Sequence, residues 1–449
     1  MKQKLIVISA DGLVGEDVEA MVSMPGFQKY FAHCAKAESM RSIYPTITYP
    51  CHTTMSTGVY PDKHKVLGNL VFEPGGQKLP WKWFYKYNQW KEDIFCAAHR
   101  AGLTTAAVFW PVTSCHPCID YLIPEYWAQS DSQTLAEAFR EGGSSPEVLE
   151  IIEKNLPIAH VPGGEIRTRH PENDEFILAC TCDIIRRFAP DLLMIHPGNV
   201  DGLRHHHGVF GPEITKAVED TDRYLAMVMD TLDETGLLSC TNVVLTSDHG
   251  LIDIDRVVHL NQAFAQKGLL TIDISGKVME SGGKETFGKL ASWEACVLSG
   301  GTSALVYLNP KAGDQAREKT ERVLAELTEE GRWGIGSIFT QEEIREKEHL
   351  GGDFAFVVET DGHSAFGDRL LPPAVTYFQK EDYRSGKATH GHLPDKGPQP
   401  VFLGVGPGFR QDARIARAQL VDGAPTYARL LGVHLQGADG VPMEGLLKP

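Results

Sequence analysis

At 449 residues the chain is long enough for about three domains, or for one large α/β domain carrying an insertion, which excludes a disulfide-stapled miniprotein. Hydrophobic residues at 42% and charged residues at 23% match ordinary globular usage, and no apolar run approaches the roughly 18 residues of a membrane-spanning helix. A formal charge of −16, from 59 acidic against 43 basic residues, disfavours adhesion to nucleic acid polymers or anionic membranes, so an anionic substrate needs local positive charge of the kind a bound metal supplies.

The first predicted element is the strand Leu5-Ile-Val-Ile-Ser9, which ends at Asp11-Gly12. Its apolar run is too short for a secretory signal, and the expected location is cytoplasmic. Tyr44 to Gly58 reads as a loop feeding a helix, with Thr48 near the N-cap and Pro50 at or near the first helical position. Trp81-Lys-Trp83-Phe-Tyr-Lys-Tyr87-Asn-Gln-Trp90, with Phe109-Trp110, is dense in aromatics. It is either a core rim or a stacking wall for a nucleobase or other flat leaving group, with Trp83 and Trp110 in the wall and Lys82 and Lys86 near the phosphates. A second strand, Thr104 to Phe109, precedes Cys115-His-Pro-Cys118, which in outline resembles a redox or metal Cys-x-x-Cys pair. Nine cysteines, an odd number without framework spacing, predict reduced thiols, and Cys180 and Cys182 read as core residues. Helices are expected over Ser132–Glu141, Pro146–Asn155, Pro212–Thr235 and Ala316–Glu330, where apolar residues recur every three or four positions. Further strands are expected over Leu192–His196, Asn242–Thr246 and Val401–Val405. Such alternation predicts an α/β fold, a largely parallel sheet with helices on both faces and its site beyond the C-terminal strand ends. The stretch from 251 to 385 is expected to be an inserted smaller subdomain, leaving 1–250 and 386–449 as the core.

Three strand ends carry metal-binding residue types: Asp11, the segment Asp201-Gly-Leu-Arg-His205, and Asp248-His249. Asp201 and His205, four apart, share one face if the segment is helical. His206 and His207 lack that spacing and are assigned to the surroundings or to solvent. With His390, these make six donors, whereas two metals at three or four ligands each need about seven. Thr48 fits as the seventh and as the nucleophile, with Thr46 its rival in the same loop and His392 the alternative to His390. A metal lowers the pKa of such a hydroxyl, and a helix N-terminus presents N–H groups to a phosphoryl oxygen.

The ordered set Asp11-Gly, Pro-Thr-x-Thr48-Tyr-Pro-x-His52, Gly58-x-Tyr-Pro61-x-x-His64, Asn69, Phe109-Trp-Pro111, Asp201-x-x-x-His205, Ser247-Asp-His-Gly250, His390-Gly and Gly406-Pro-Gly-Phe409 resembles the nucleotide pyrophosphatase/phosphodiesterase family of the alkaline phosphatase superfamily, over nearly the whole chain. The resemblance implies an alkaline-phosphatase-like fold and two divalent ions, zinc by ligand type. One would be held by Asp201, His205 and His390, the other by Asp11, Thr48, Asp248 and His249. It also implies a covalent phosphothreonine, an Asn69 amide donated to a phosphoryl oxygen, and a small phosphate ester or nucleotide as substrate. One position departs from the pattern: Lys65 stands where the family usually has Gly after the His, so the backbone leading to Asn69 is expected to run differently. Phosphomonoesterase or phosphonoacetate-hydrolase-like chemistry on the same frame stands as the alternative, and a noncatalytic metal or thiol protein as a third reading. The sulfatase signature Cys-x-Pro-x-Arg is missing at both Cys51 and Cys115.

Overall fold

The computed structural model describes residues 3–74, 80–130, 132–159, 170–273, 289–377 and 386–449. Eight strands form the central sheet: β1 (Lys4–Ser9), β2 (Ala35–Ala37), β3 (Thr105–Val108), β4 (Tyr121–Ile123), β5 (Leu192–Ile195), β6 (Thr241–Thr246), β7 (Phe402–Val405) and β8 (Arg414–Ile415). Their spatial order is β8-β2-β7-β6-β1-β5-β3-β4. β1 lies at the middle, parallel to both neighbours, with Leu5 opposite Leu192 on one side and Asn242 on the other. β7 runs antiparallel to β6 and β2.

The apolar strand sequences follow from burial on both faces. Ile6 and Ile8 of β1 join Leu193, Ile195, Val243 and Leu245 in one core, while Leu5 and Val7 join Leu192, Met194 and Val244 in the other. Each such fully buried aliphatic side chain contributes about 1.5–3 kcal/mol relative to exposure. Helices Pro146–Ala159, Glu172–Phe188 and Pro212–Glu234 cover the first face; helices Thr48–Thr57, Ile94–Arg100 and Gly423–Leu431 cover the second. The helix expected from Ser132 begins at Leu135, because Thr134 and Glu137 form a reciprocal capping box that fixes its start.

Within 251–385 the chain builds an antiparallel sheet of Ala295–Ser299, Ser303–Leu308, Phe356–Thr360 and Ile335–Thr340, in that spatial order. Helices Asp314–Glu329 and Gln341–Glu348 belong to the same segment. Val258, Phe264, Val297, Val306, Leu324 and Phe356 form a separate hydrophobic cluster there. The pair Ile252–Asp253 and Ala388–Thr389 joins the outgoing and returning chain. Contacts between this segment and the core include the following. Glu359, fully buried, accepts from Tyr44 Oη (2.7 Å) and Leu393 N–H (3.0 Å), and Thr302 N–H donates to His390 O (2.9 Å).

Candidate active site

The parallel strands β1, β5 and β6 deliver their C-terminal ends to one edge of the sheet, and each end carries a titratable residue. Asp11 follows β1. His196 follows β5 and leads into the helix Asn199–His207, and Asp248-His249 follows β6. Asp174 accepts the Gly198 and Asn199 N–H groups and so fixes the start of that helix. Asp201 and His205 then share one helical face, with Asp201 Oδ2 3.3 Å from His205 Nε2. Asp201 N–H donates to Asp11 O (3.1 Å), which binds this helix to the end of β1.

Two groups of possible metal ligands result, each with its donor atoms within 4.8 Å of one another: Asp201 with His205 and His390, and Asp11 with Asp248 and His249. The two groups abut, since the His249 and His390 rings have centroids 4.2 Å apart. His249 Nε2 is the focus of the second group. It lies 3.2 Å from Thr48 Oγ1, 3.1 Å from Asp248 Oδ2 and 3.6 Å from Asp11 Oδ1. Thr48 opens the helix Thr48–Thr57, one residue beyond the N-cap Ile47. Thr48 O accepts from His52 Nδ1 (2.8 Å).

This arrangement is electrostatically costly without added positive charge. Burial, reinforced by Asp201, pushes the Asp11 carboxyl well above the usual carboxylate range, and burial together with Asp11 does the same to Asp248. Burial opposes ionisation of Asp201 as well, but the adjacent His205 outweighs it and holds Asp201 below its ordinary value. Burial keeps His249 and His390 neutral, His390 at about 4. Asp11 Oδ1, Asp201 Oδ1 and Asp248 Oδ2 have no hydrogen-bond partner among the described residues, although all are buried. Hard oxygens and neutral imidazoles held together, desolvated and unsatisfied, are the donor set of a divalent cation site. His205 fits the same reading, because its Nδ1–H donates to Ala388 O (2.9 Å) and leaves the Nε2 lone pair facing Asp201.

Other expected residues fall as follows. Thr46 does not join the donors. Its hydroxyl donates to His392 O (2.9 Å) and accepts Gly391 N–H (3.0 Å), which pins the His390 turn. His392 is buried with Nδ1 on Leu393 O and lies outside both donor groups. His207 faces Glu213. Asn69 Oδ1 accepts Tyr49 N–H (3.0 Å), which orients the amide beside Thr48 and leaves Nδ2 as its donor. At the departure from the family pattern, Lys65 adopts φ +62°, the left-handed conformation a glycine would take, and its Nζ donates to Gly351 O. Lys82 is held beside Asn69 through its backbone N–H on Asn69 O, and burial lowers its amine to about 8. Trp110 requires a correction: it is 0% exposed and packs edge-on against His52 at 4.8 Å, so neither ring face is open for stacking. Trp83 is also buried, parallel to Trp81, and Trp81 meets Tyr49 at 5.6 Å. Cys118 pairs with Cys96 rather than with Cys115. Cys180 and Cys182 lie in the core.

His196 joins this centre although no motif in the sequence marks it. Its Nε2 lies 3.1 Å from Asp11 Oδ2, and its ring packs on His52 at 4.2 Å. The signal was available, since His196 ends a strand as Asp11 and Asp248 do.

The fold and this site define an α/β protein with a paired acidic and imidazole centre around a threonine hydroxyl. A family model described as type I phosphodiesterase / nucleotide pyrophosphatase matches residues 5–389, and the chain belongs to that family. Venom phosphodiesterase 2 of Crotalus adamanteus is 26% identical over 267 residues, covering 58% of this chain and 28% of its own length. Ectonucleotide pyrophosphatase/phosphodiesterase family member 1 of Mus musculus is 24% identical over 264 residues, covering 57% of this chain and 25% of its own. The chain thus spans about a quarter of the length of these curated relatives. Among solved structures, murine ectonucleotide pyrophosphatase/phosphodiesterase 5 superposes with a TM-score of 0.66 at 19% identity, covering 99% of this chain and 100% of that one. An inactive form of that protein in complex with AMP also gives 0.66, at 18% identity. The fold is the alkaline-phosphatase-like α/β fold.

Proposed function

We propose that this chain is a two-metal hydrolase of phosphoric diesters, acting on small nucleotide-type substrates through a covalent phosphothreonine at Thr48. The observation that carries the reading is the Thr48 hydroxyl, buried 3.2 Å from His249 Nε2 at the junction of two unsatisfied donor groups. Asp201, His205 and His390 would hold one divalent cation, and Asp11, Asp248, His249 and Thr48 the other, with zinc suited to this mixture of imidazole and carboxylate ligands. Such cations, when bound, lower the pKa of a coordinated hydroxyl and neutralise charge developing on a phosphoryl group. Thr48 Oγ1 attacks phosphorus in line as the bond to the leaving oxygen breaks. Asn69, its carbonyl occupied by Tyr49 N–H, donates its amide to a phosphoryl oxygen, and Lys82 adds positive charge nearby. Water then attacks the phosphothreonine, and Oγ1 leaves and recovers its proton. AMP bound to the inactive form of the structural neighbour supports a nucleotide leaving or acceptor group.

Thr48→Ala is expected to lower turnover of a chromogenic diester by at least about 10³-fold, the order of effect seen when a nucleophile is removed, while metal content by elemental analysis stays near two per chain. Near-normal turnover in that variant would remove Thr48 as nucleophile. Assay of one preparation against a nucleotide diester, a monoester and phosphonoacetate ranks the substrate classes, and diester preference is the expected outcome.

A further inference from the structure

A third cluster of titratable side chains, Cys96, His116 and Cys118, shares no residue with the proposed catalytic centre. Asp93 organises it. Its Oδ1 accepts Cys96 N–H (2.8 Å), capping the helix Ile94–Arg100, and its Oδ2 pairs with His116 Nε2 (2.8 Å). His116 Nδ1 in turn accepts Cys118 N–H (3.1 Å). Asp93 and His116 are both buried, and they bring the helix that starts after Asp93 against the turn that precedes β4. The sulfurs of Cys96 and Cys118 consequently lie 2.6 Å apart, both half-buried. Cys115, the other half of the Cys-x-x-Cys spacing, turns away and donates to Glu141 O.

These residues could serve a soft metal or a disulfide, and the hydrogen bonds decide between them. Both ring nitrogens of His116 are committed, one to the Cys118 amide and one to Asp93. A metal would then keep two thiol ligands, too few for a closed tetrahedral site. We infer that Cys96 and Cys118 are a disulfide-forming pair, oxidised by small-molecule disulfides of the glutathione class. One cysteine thiolate attacks a sulfur of the reagent, breaks its S–S bond and expels the first reagent thiolate. The second cysteine thiolate attacks the protein sulfur of that mixed disulfide and expels the second. The two protons given up by the cysteines end on the two reagent thiols, so one external disulfide is reduced as one internal disulfide forms.

The surroundings fit a structural bridge rather than a catalytic one. Burial pushes both thiols up, with Asp93 adding to the effect, so the reduced pair lacks the thiolate stabilisation that makes redox-active disulfides strong oxidants. Cys96 and Cys118 are 22 positions apart, and the loop they close contains β3 and Phe109-Trp110, whose indole packs on His52. The bridge would therefore constrain the chain behind the nucleophile helix and stabilise the fold.

The test is peptide mapping of the intact chain after incubation with oxidised glutathione and, in parallel, with dithiothreitol, free thiols being alkylated after denaturation. A linked Cys96–Cys118 peptide in the oxidised sample is expected, with Cys34, Cys51, Cys180 and Cys296 still alkylated. The thermal midpoint should rise on oxidation in the native chain and stay constant in Cys96→Ser and Cys118→Ser. Quantitative alkylation of both residues after oxidation, or a Cys115–Cys118 link, would overturn the inference. So would a stoichiometric zinc ion that Cys96→Ser removes. Because the map reads the unsubstituted protein, it decides the matter even if a variant fails to fold.

Discussion

Single residues at this site are held in one chemical form by the groups around them, and His64 shows how this can be measured. Its Nδ1 accepts Val66 N–H (3.1 Å), so the proton must sit on Nε2, which donates to Thr54 Oγ1 (3.0 Å). A second proton would set Nδ1–H against Val66 N–H inside the core. Burial, with Lys82 and Lys65 nearby, accordingly lowers His64 to about 3 from 6.5. The folded-state value is the lower one, so between these two values the unfolded chain binds more protons than the folded chain. The stabilisation from neutral His64 is complete above about pH 6.5 and is lost as pH falls, by up to about 1.4 kcal/mol per pH unit for one group. His64→Gln should be less stable at pH 7 yet show a shallower loss between pH 6 and 4, read as urea midpoints of the metal-loaded protein at each pH. Equal slopes for the two proteins would place His64 outside this role. Lys65, the next residue, shows the converse: a side chain tolerated where glycine is the easier choice, at a backbone cost of about 1 kcal/mol partly offset by its bond to Gly351 O.

At the scale of elements, the site is an assembly of strand ends, and this is why so much of it was legible. Runs such as Leu5–Ser9 and Asn242–Thr246 are apolar at every position because both faces are covered, and that pattern predicts a parallel sheet whose C-terminal edge collects Asp11, Asp201 and Asp248-His249. The fourth contribution, His390, comes from a turn with no periodic pattern, and long-range bonds place it. Thr46 holds Gly391 N–H and His392 O, and Thr302 holds His390 O through both N–H and Oγ1. Nothing in a linear sequence marks Thr46 and Thr302 as partners of a residue hundreds of positions or tens of positions away. Likewise Trp110 looks like a stacking residue in sequence, while burial makes it a wall behind His52. The turn also explains the glycine that follows His390. Gly391 has φ +104°, and a Cβ there would lie 1.9 Å from Gly300 O. Gly391→Ala must move backbone against backbone, at about 2–4 kcal/mol. The expected result is a lower thermal midpoint and loss of one metal equivalent of two, the one assigned to His390, measured by elemental analysis after gel filtration. Retention of both equivalents would show that the turn does not fix this ligand.

For the whole molecule, the decisive quantity is the negative charge gathered in one desolvated place by a chain that already carries −16. The fold concentrates it because Asp11, Asp201 and Asp248 all follow strands that end at one edge of the central sheet, and the 251–385 segment is bonded to the loops beside them. Glu359, in the middle of the antiparallel sheet, receives Tyr44 from the loop before Thr48 and Leu393 from the turn after His390, so one buried carboxylate ties both sides of the site to that segment. The proposed divalent cations would offset the charge of the donors, and their removal should expose it as a pH dependence of known sign. Asp11 and Asp248 have folded-state values raised well above 3.8, and His205 is raised above 6.5 by Asp201 after burial has opposed the shift. Each raised group contributes stability below its unfolded value that is lost as pH rises through its folded value. His249 and His390 are lowered, so they are neutral in both states above about pH 7 and contribute nothing further there; Asp201, lowered, is ionised in both states over the same range. From pH 7 to pH 9 these lowered groups are flat. Lys82, lowered to about 8, adds stability as pH rises above that value, but it does so in loaded and chelated protein alike, so the difference between the two samples reads the raised groups. Relative to metal-loaded protein, in which bound cations would offset the buried carboxylates, chelator-treated protein should lose thermal stability as pH rises through the folded-state values of these raised groups. Scanning both samples at pH 7, 8 and 9 measures the difference directly: a gap between loaded and chelated midpoints that widens with pH is the expected outcome, and a constant gap would mean that the buried acids are not the groups the cations stabilise.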